Sequence, residues 1–110
     1  MNLVVRFYTT PAGANPVRVY LEDLPDAELA LITDALDDLR GHGLKAPGVV
    51  LRHIDGKLWE LKVSRHRVFY VVIEGPELVL LHAYKKQGQK APVHELETAR
   101  RRMKEVLGHG

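Results

Sequence analysis

Apolar residues recur at helical spacing early in the chain and alternate with polar ones in its middle. Leu29, Ile32, Leu36 and Leu39 are separated by three, four and three positions. That spacing forms one buried stripe and predicts a helix from Asp26, a suitable cap, to about Arg40. Asp34, Asp37 and Asp38 lie off the stripe, and Gly41 and Gly43 end it. Before it, Leu3–Thr9 is rich in strand-favouring residues. Pro11, Gly13, Asn15 and Pro16 mark a turn, and Pro16 opens a short helix to Leu21 with Val17 and Tyr20 on its inner side. The chain thus opens with a strand and two antiparallel helices.

Period-two patterning follows. Val49–Ile54 is short and branched, and Asp55–Gly56 is the strongest hairpin signal in the chain. In Lys57–Val63, Trp59, Leu61 and Val63 share one face, while Glu60 and Lys62 share the other. Ser64, Arg65 and His66 connect to a strand over Arg67–Ile73, Gly75–Pro76 turns the chain, and Leu78–Tyr84 is the last strand. The apolar runs Val68–Ile73 and Leu78–Leu81 read as strands buried on much of both faces. A polar loop with Lys85, Lys86 and Lys90 precedes a final helix opened by Pro92, whose stripe is Leu96, Ala99, Met103 and Val106 or Leu107. The predicted order is β-α-α-β-β-β-β-α, an α+β fold with an N-terminal helix pair, a small sheet and a C-terminal helix. One sheet face is expected to pack on helix and the other, carrying Glu60 and Lys62, to be open.

At 110 residues, residues 1–110 are expected to form a single domain. Apolar residues make up 45% and charged residues 27%, an ordinary globular mixture. Cysteine is absent, which excludes a disulfide scaffold, Cys-based zinc sites and cysteine nucleophiles. No apolar run approaches the roughly 18 residues of a membrane span, and no signal-peptide pattern opens the chain. A soluble cytoplasmic protein without membrane contact is expected. There is no phosphate loop, dinucleotide fingerprint or metal-ligand motif, so neither metal nor cofactor is expected.

Charge changes the picture further. The net +2 conceals a split: residues 1–44 hold three basic and seven acidic side chains, whereas residues 45–110 hold thirteen and seven. A basic half suits a polyanion, although a solvated surface accounts for it equally well. Glu60, Lys62, Arg65, His66, Arg67, Tyr70, His82, Tyr84, Lys86 and Lys90 are polar groups on or beside the strands. Neighbouring strands can bring them together. Such a set suits RNA, because Lys and Arg neutralise phosphates and aromatic rings stack on unpaired bases. It also suits metal-free RNA cleavage, which needs a base, cationic donors and an acid. Structural readings stand beside these: a wet sheet face for Glu60 and Lys62, turn residues for Arg65 and His66, a core ring for Tyr70, and a hydrogen-bonded structural histidine for His82.

The ordered segments Leu58-Trp59-Glu60-Leu61-Lys62, Arg67-Val68-Phe69-Tyr70 and Leu80-Leu81-His82-Ala83-Tyr84, then Lys86, Lys90 and Pro92, with Glu95, Ala99 and Arg102 behind them, resemble the HigB-like, phage-related branch of the RelE/ParE toxin superfamily. The resemblance spans about residues 3–106. It implies a RelE-like, mixed but mostly antiparallel sheet flanked by helices. It also implies the toxin of a type II toxin–antitoxin system, acting as a ribosome-dependent, metal-independent messenger-RNA endonuclease that inhibits translation. Lys62, Arg67, Tyr70 and His82 correspond to the family's catalytic positions. Arg65, His66, Lys86 and Lys90 become RNA- or phosphate-binding candidates, and Glu60 is either a general base or a structural ion-pair partner. The implied partners are a helix-turn-helix antitoxin, through which the toxin associates indirectly with operator DNA, and messenger RNA on the ribosome. The sequence departs from the family at Lys62, where Arg is usual, at His66, where Tyr is often found, and at Gln87, where a second Lys is usual. The ParE branch, which acts on DNA gyrase, and a non-catalytic RNA- or partner-binding module are the alternatives.

Overall fold

In a computed structural model the described residues fold as three α-helices, a short 3-10 turn (Gly43–Lys45) and a five-stranded sheet. The structure describes residues 3–88 and 92–108. Strand β1 (Val4–Phe7) leads into helices α1 (Pro16–Glu22) and α2 (Asp26–His42). Strands β2 (Val50–Asp55), β3 (Leu58–Val63), β4 (His66–Val72) and β5 (Glu77–Lys85) follow, and helix α3 (Val93–Val106) completes the described chain. The sheet order is β1-β5-β4-β3-β2. Strands β2 to β5 form an antiparallel meander, and β1 joins β5 in parallel. This is the expected α+β architecture, with a mixed, mostly antiparallel sheet.

The stripe read from the sequence is the buried side of α2: Ile32, Ala35, Leu36 and Leu39 are buried. The helix runs past Gly41 and stops at Gly43, whose φ of 68° takes it out of the helical region. Asp26 lies inside the first turn, where its charge complements the helix dipole, while Pro25 holds the cap position.

The expectation of one covered face is corrected. Helices α1 and α2 pack on one face through Val17, Leu21, Ile32 and Leu39 against Leu61, Val68 and Leu80. Helix α3 packs on the other through Ala99 and Leu96 against Leu58, Phe69, Val71 and Leu81. Both faces of β4 and β5 are apolar, so each must be removed from water, and one helical layer cannot do both. Glu60 is consequently 3% exposed, not on an open face.

Two irregularities set which side chains share a face. Between Phe69 and Tyr70 the β4–β5 register shifts, leaving Leu81 as the extra residue of a bulge in β5. Its carbonyl accepts a hydrogen bond from Arg102 Nη1 at 3.0 Å. A second shift lies between His53 and Asp55. The β3–β4 loop is only Ser64–Arg65, because Val63 pairs with His66. Ser64 has φ 55°, which matches the first position of a type II′ turn, a place that favours glycine. Ser64→Val should cost about 1–2 kcal/mol through strain at positive φ, whereas Ser64→Gly should cost none. Denaturant unfolding of both variants checks this.

His66 braces the first helical layer. Its Nε2 lies 2.7 Å from Glu28 Oε1 and its Nδ1 2.7 Å from the Tyr20 hydroxyl. A carboxylate only accepts, so in the neutral ring Nε2–H donates to Glu28 and Nδ1 accepts from Tyr20. Hydrogen bonding from His66 holds the Glu28 carboxyl below its usual range. Burial, with Glu28 and Glu95 nearby, pushes the Tyr20 hydroxyl up to about 12. Burial also raises Tyr8, Tyr70 and Tyr84, and these with Tyr20 are all four tyrosines of the chain. Because the folded state holds these protons more tightly, the stability they confer is complete below about pH 10, the ordinary tyrosine value. It is lost as pH rises through the folded values. Absorbance titration of the native protein at alkaline pH should therefore show no tyrosinate forming at the ordinary value, and denaturant should restore it. A native tyrosine titrating normally would contradict the packing.

Candidate nucleic-acid interface

The pleat assembles a polar surface from residues far apart in sequence. Lys62 pairs with Arg67 and Arg67 with Tyr84; Glu60 pairs with Phe69 and Phe69 with His82. Directly opposed residues point to the same face. These are two adjacent cross-strand rows on the α3 side of the sheet, beyond the apolar cluster of Leu58 and Val71. On β2, Arg52 stands opposite Glu60 and lengthens the second row.

The cations converge where β4 begins and β5 ends. Arg67 Nη1 donates to the carbonyls of Ser64 at 2.8 Å and His66 at 3.0 Å, which fixes one edge of the guanidinium. The Lys86 backbone N–H donates to the Arg65 carbonyl at 2.8 Å and ties the two segments together. Arg65, Arg67 and Lys86, with Gln87 and Gly88, line a cavity of about 420 Å³. Among the described residues, no carboxylate lies within ion-pair distance of Arg52, Lys62, Arg65, Arg67 or Lys86. Uncompensated cations around one concavity attract a polyanion and neutralise phosphates.

Beneath them sit two groups that can move or hold protons. Glu60 is buried, and its Oε1 has no hydrogen-bond partner among the described residues. Burial, reinforced by the charge of Glu60 and opposed by Arg67 and Arg52, raises the Tyr84 hydroxyl above its ordinary value. Tyr84, 5% exposed, is therefore protonated at neutral pH.

His82 is wired differently from a free acid or base. Its Nε2 lies 2.5 Å from Glu95 Oε1, and Arg102 Nη1 lies 3.2 Å from its Nδ1. Arginine only donates, so Nδ1 accepts and Nε2–H donates to Glu95. Burial lowers the His82 pKa, against the opposing pull of Glu95. Both ring nitrogens are occupied within the protein. The ring stacks near Phe69 and Tyr84, at centroid distances of 6.4 Å from each, and Phe69 stacks on Tyr84 at 5.7 Å. His82 thus holds the aromatic stack that presents Tyr84.

The structure brings Glu60, Lys62, Arg65, Arg67, His82 and Lys86 to this region and separates two other candidates from it. His66 is 1% exposed and consumed by Tyr20 and Glu28 on the opposite sheet face. It therefore faces away from the cationic cavity: being adjacent to Arg67, it must point the other way. Tyr70, three residues from Arg67, also points to the α1–α2 side and is 1% exposed. Its ring is therefore packed in the core on the far face from Arg67. Lys90 lies outside the described residues. Arg52 escaped the sequence reading because the register shift between His53 and Asp55 moves it opposite Glu60. A regular hairpin would have paired it with Leu61. Tyr84 was visible as a polar-tipped aromatic, but its alignment with Arg67 depends on the Leu81 bulge. Among the described residues no group of three or more His, Asp or Glu is placed to hold a metal ion, and no helix is long and apolar enough to cross a membrane.

Comparison with known proteins gives the surface a context. A search of curated proteins finds no match. The family model described as Phage derived protein Gp49-like matches residues 19–104, a stretch that includes α2, strands β2–β5 and nearly all of α3. On this match the chain belongs to the phage-derived Gp49-like family, a HigB-like toxin family of the RelE superfamily.

Proposed function

We propose that this toxin-family protein cuts messenger RNA occupied by the ribosome and so inhibits translation. The observation that carries the reading is the cationic cavity of Arg65, Arg67 and Lys86, without ion-pair partners among the described residues, in which Arg67 stands in register with Lys62 and Tyr84. In the proposed reaction Arg67 and Lys62 hold the scissile phosphate and stabilise its developing negative charge. Arg65, Lys86 and Arg52 hold flanking phosphates. The RNA 2′-hydroxyl attacks the adjacent phosphorus as the bond to the 5′-oxygen breaks, leaving a cyclic phosphate and a free 5′-hydroxyl. Glu60 takes the proton of the attacking hydroxyl, and Tyr84 gives one to the departing oxygen. His82 positions Tyr84 through the ring stack and does not titrate in the reaction.

The ribosome enters through geometry. A site built mainly of cations grips a backbone but does not align an in-line attack, so a substrate held in that alignment lowers the entropic cost. The protein acts in the cytoplasm, where translated messages are. The family implies an antitoxin partner; a helix-turn-helix antitoxin would also carry the toxin to operator DNA.

Primer extension on a defined message in a purified translation system tests the reading. Wild-type protein should create new 5′ ends only when ribosomes are present. Arg67→Ala should reduce them by about 10² or more, and Tyr84→Phe by about 10²-fold, the scale of a missing proton donor. Tyr70→Phe, on the far face, should leave cleavage within about threefold of wild type (on the order of 0.6 kcal/mol in barrier). Full activity in Arg67→Ala would contradict the proposal. No cleavage by folded wild-type protein would also contradict it and would make gyrase supercoiling the next assay.

A further inference from the structure

The α1–α2 side of the sheet carries an apolar groove that the proposed chemistry does not use. Leu44, Leu51, Trp59, Tyr70 and Val72, with Lys57 at one edge, line a cavity of about 410 Å³. Leu44 and Val72 also line a neighbouring cavity of about 380 Å³, which continues to Leu3, His42 and Lys45. The shared walls make one groove with two apolar recesses. Leu44 is 48% and Trp59 36% exposed, although both are large apolar side chains. Contiguous exposed apolar surface of this kind, unlike singly scattered residues, is a mark of an interaction site.

Two features describe the occupant. Two recesses flanking Leu44 suit a chain with two apolar anchors better than one compact ligand. The charged residues lining the recesses, Lys57 and Lys45, are cations, and no carboxylate lines either. Asp55, beside the first recess in the β2–β3 hairpin, is already paired with Arg100 at 2.5 Å. The Tyr70 hydroxyl, in a side chain that lines the first recess, has no partner among the described residues, and burial keeps it protonated. Its oxygen is itself buried, so it is closed to an occupant of the recess.

We propose that this groove docks the antitoxin, through a segment bearing two apolar side chains and at least one carboxylate. The carboxylate faces Lys57 or Lys45. The inference rests on the toxin reading for the existence of the partner, but not on the cleavage chemistry. Because the groove and the cationic rows lie on opposite faces, docking and phosphate contact use separate residues.

The test is calorimetric titration of the whole chain with its antitoxin, sought as a helix-turn-helix protein encoded beside the gene. Leu44→Asp and Lys57→Glu alter exposed side chains, so both variants should fold, as circular dichroism will verify. Each should weaken binding by about 100-fold, the scale of a hot-spot change, while Arg67→Ala should stay within threefold of wild type. Wild-type affinity in both groove variants, or loss of binding in Arg67→Ala alone, would overturn the proposal. Failure of the wild-type chain to bind that protein while still cleaving messenger RNA would overturn the antitoxin as occupant and leave the cleavage reading intact. A wild-type dimer that Leu44→Asp converts to monomer would overturn it too, assigning the groove to a second copy of the chain.

Discussion

The pairing of Lys62 with Arg67 across a two-residue loop is the constraint on which the rest of the molecule depends. Side chains alternate between faces with a period of two, so a slip of one residue would turn Arg67 inward and His66 outward. The loop Ser64–Arg65 prevents that slip at the cost of a positive φ at Ser64. With the register set, His66 reaches Tyr20 and Glu28 and fastens the first helical layer to the sheet. Arg67 joins Lys62 and Tyr84 on the other side. One antiparallel pair thus gives both an internal brace and an exposed charge cluster.

Cations gathered without counterions among the described residues repel one another, and the fold keeps that repulsion in solvent. Arg65 is exposed, while Lys62, Arg67 and Lys86 are partly so; water and salt therefore screen them. Arg102, by contrast, is held within the fold: it donates to the Leu81 carbonyl and to His82, and its guanidinium lies 5.1 Å from the Tyr8 ring centroid. Helix α3 therefore does two things. It covers the apolar part of its face, and through Glu95 and Arg102 it fixes the ring stack beneath the open part. The opposite face divides similarly, with a dense core under α1 and α2 and an apolar groove beyond it at Leu44 and Trp59.

Much of this was legible in the sequence because it follows from periodicity. The Leu29–Leu39 stripe located α2, and alternation through Trp59–Val63 placed Glu60 and Lys62 on one face. The continuous apolar runs of β4 and β5 signalled burial on both sides; the companion expectation of one open face overlooked this, since α3 had to cover the second. Local pattern could not supply the two bulges. The irregularity near Ile54 brings Arg52 opposite Glu60, and the extra residue Leu81 aligns His82 with Phe69 and Tyr84 with Arg67. Alternation did contain the separation of His66 and Tyr70 from Arg67, by one and three positions. Resemblance grouped them by chemistry, and the pleat divides them. That His82 is engaged at both nitrogens follows from Glu95 and Arg102, thirteen and twenty residues away, and no spacing rule links them.

The central claim is that Arg65, Arg67 and Lys86 act together on an RNA backbone. Its most direct test is the salt dependence of binding to a single-stranded RNA whose 2′-hydroxyls are methylated, so that it cannot be cut. Removing one cation that neutralises a phosphate should flatten the slope of log K against log salt by about 0.7. Arg67→Ala combined with Lys86→Ala should therefore flatten it by roughly 1.4 relative to wild type. An unchanged slope in that double variant would mean that the cavity does not hold phosphates, and the account of this face would be wrong.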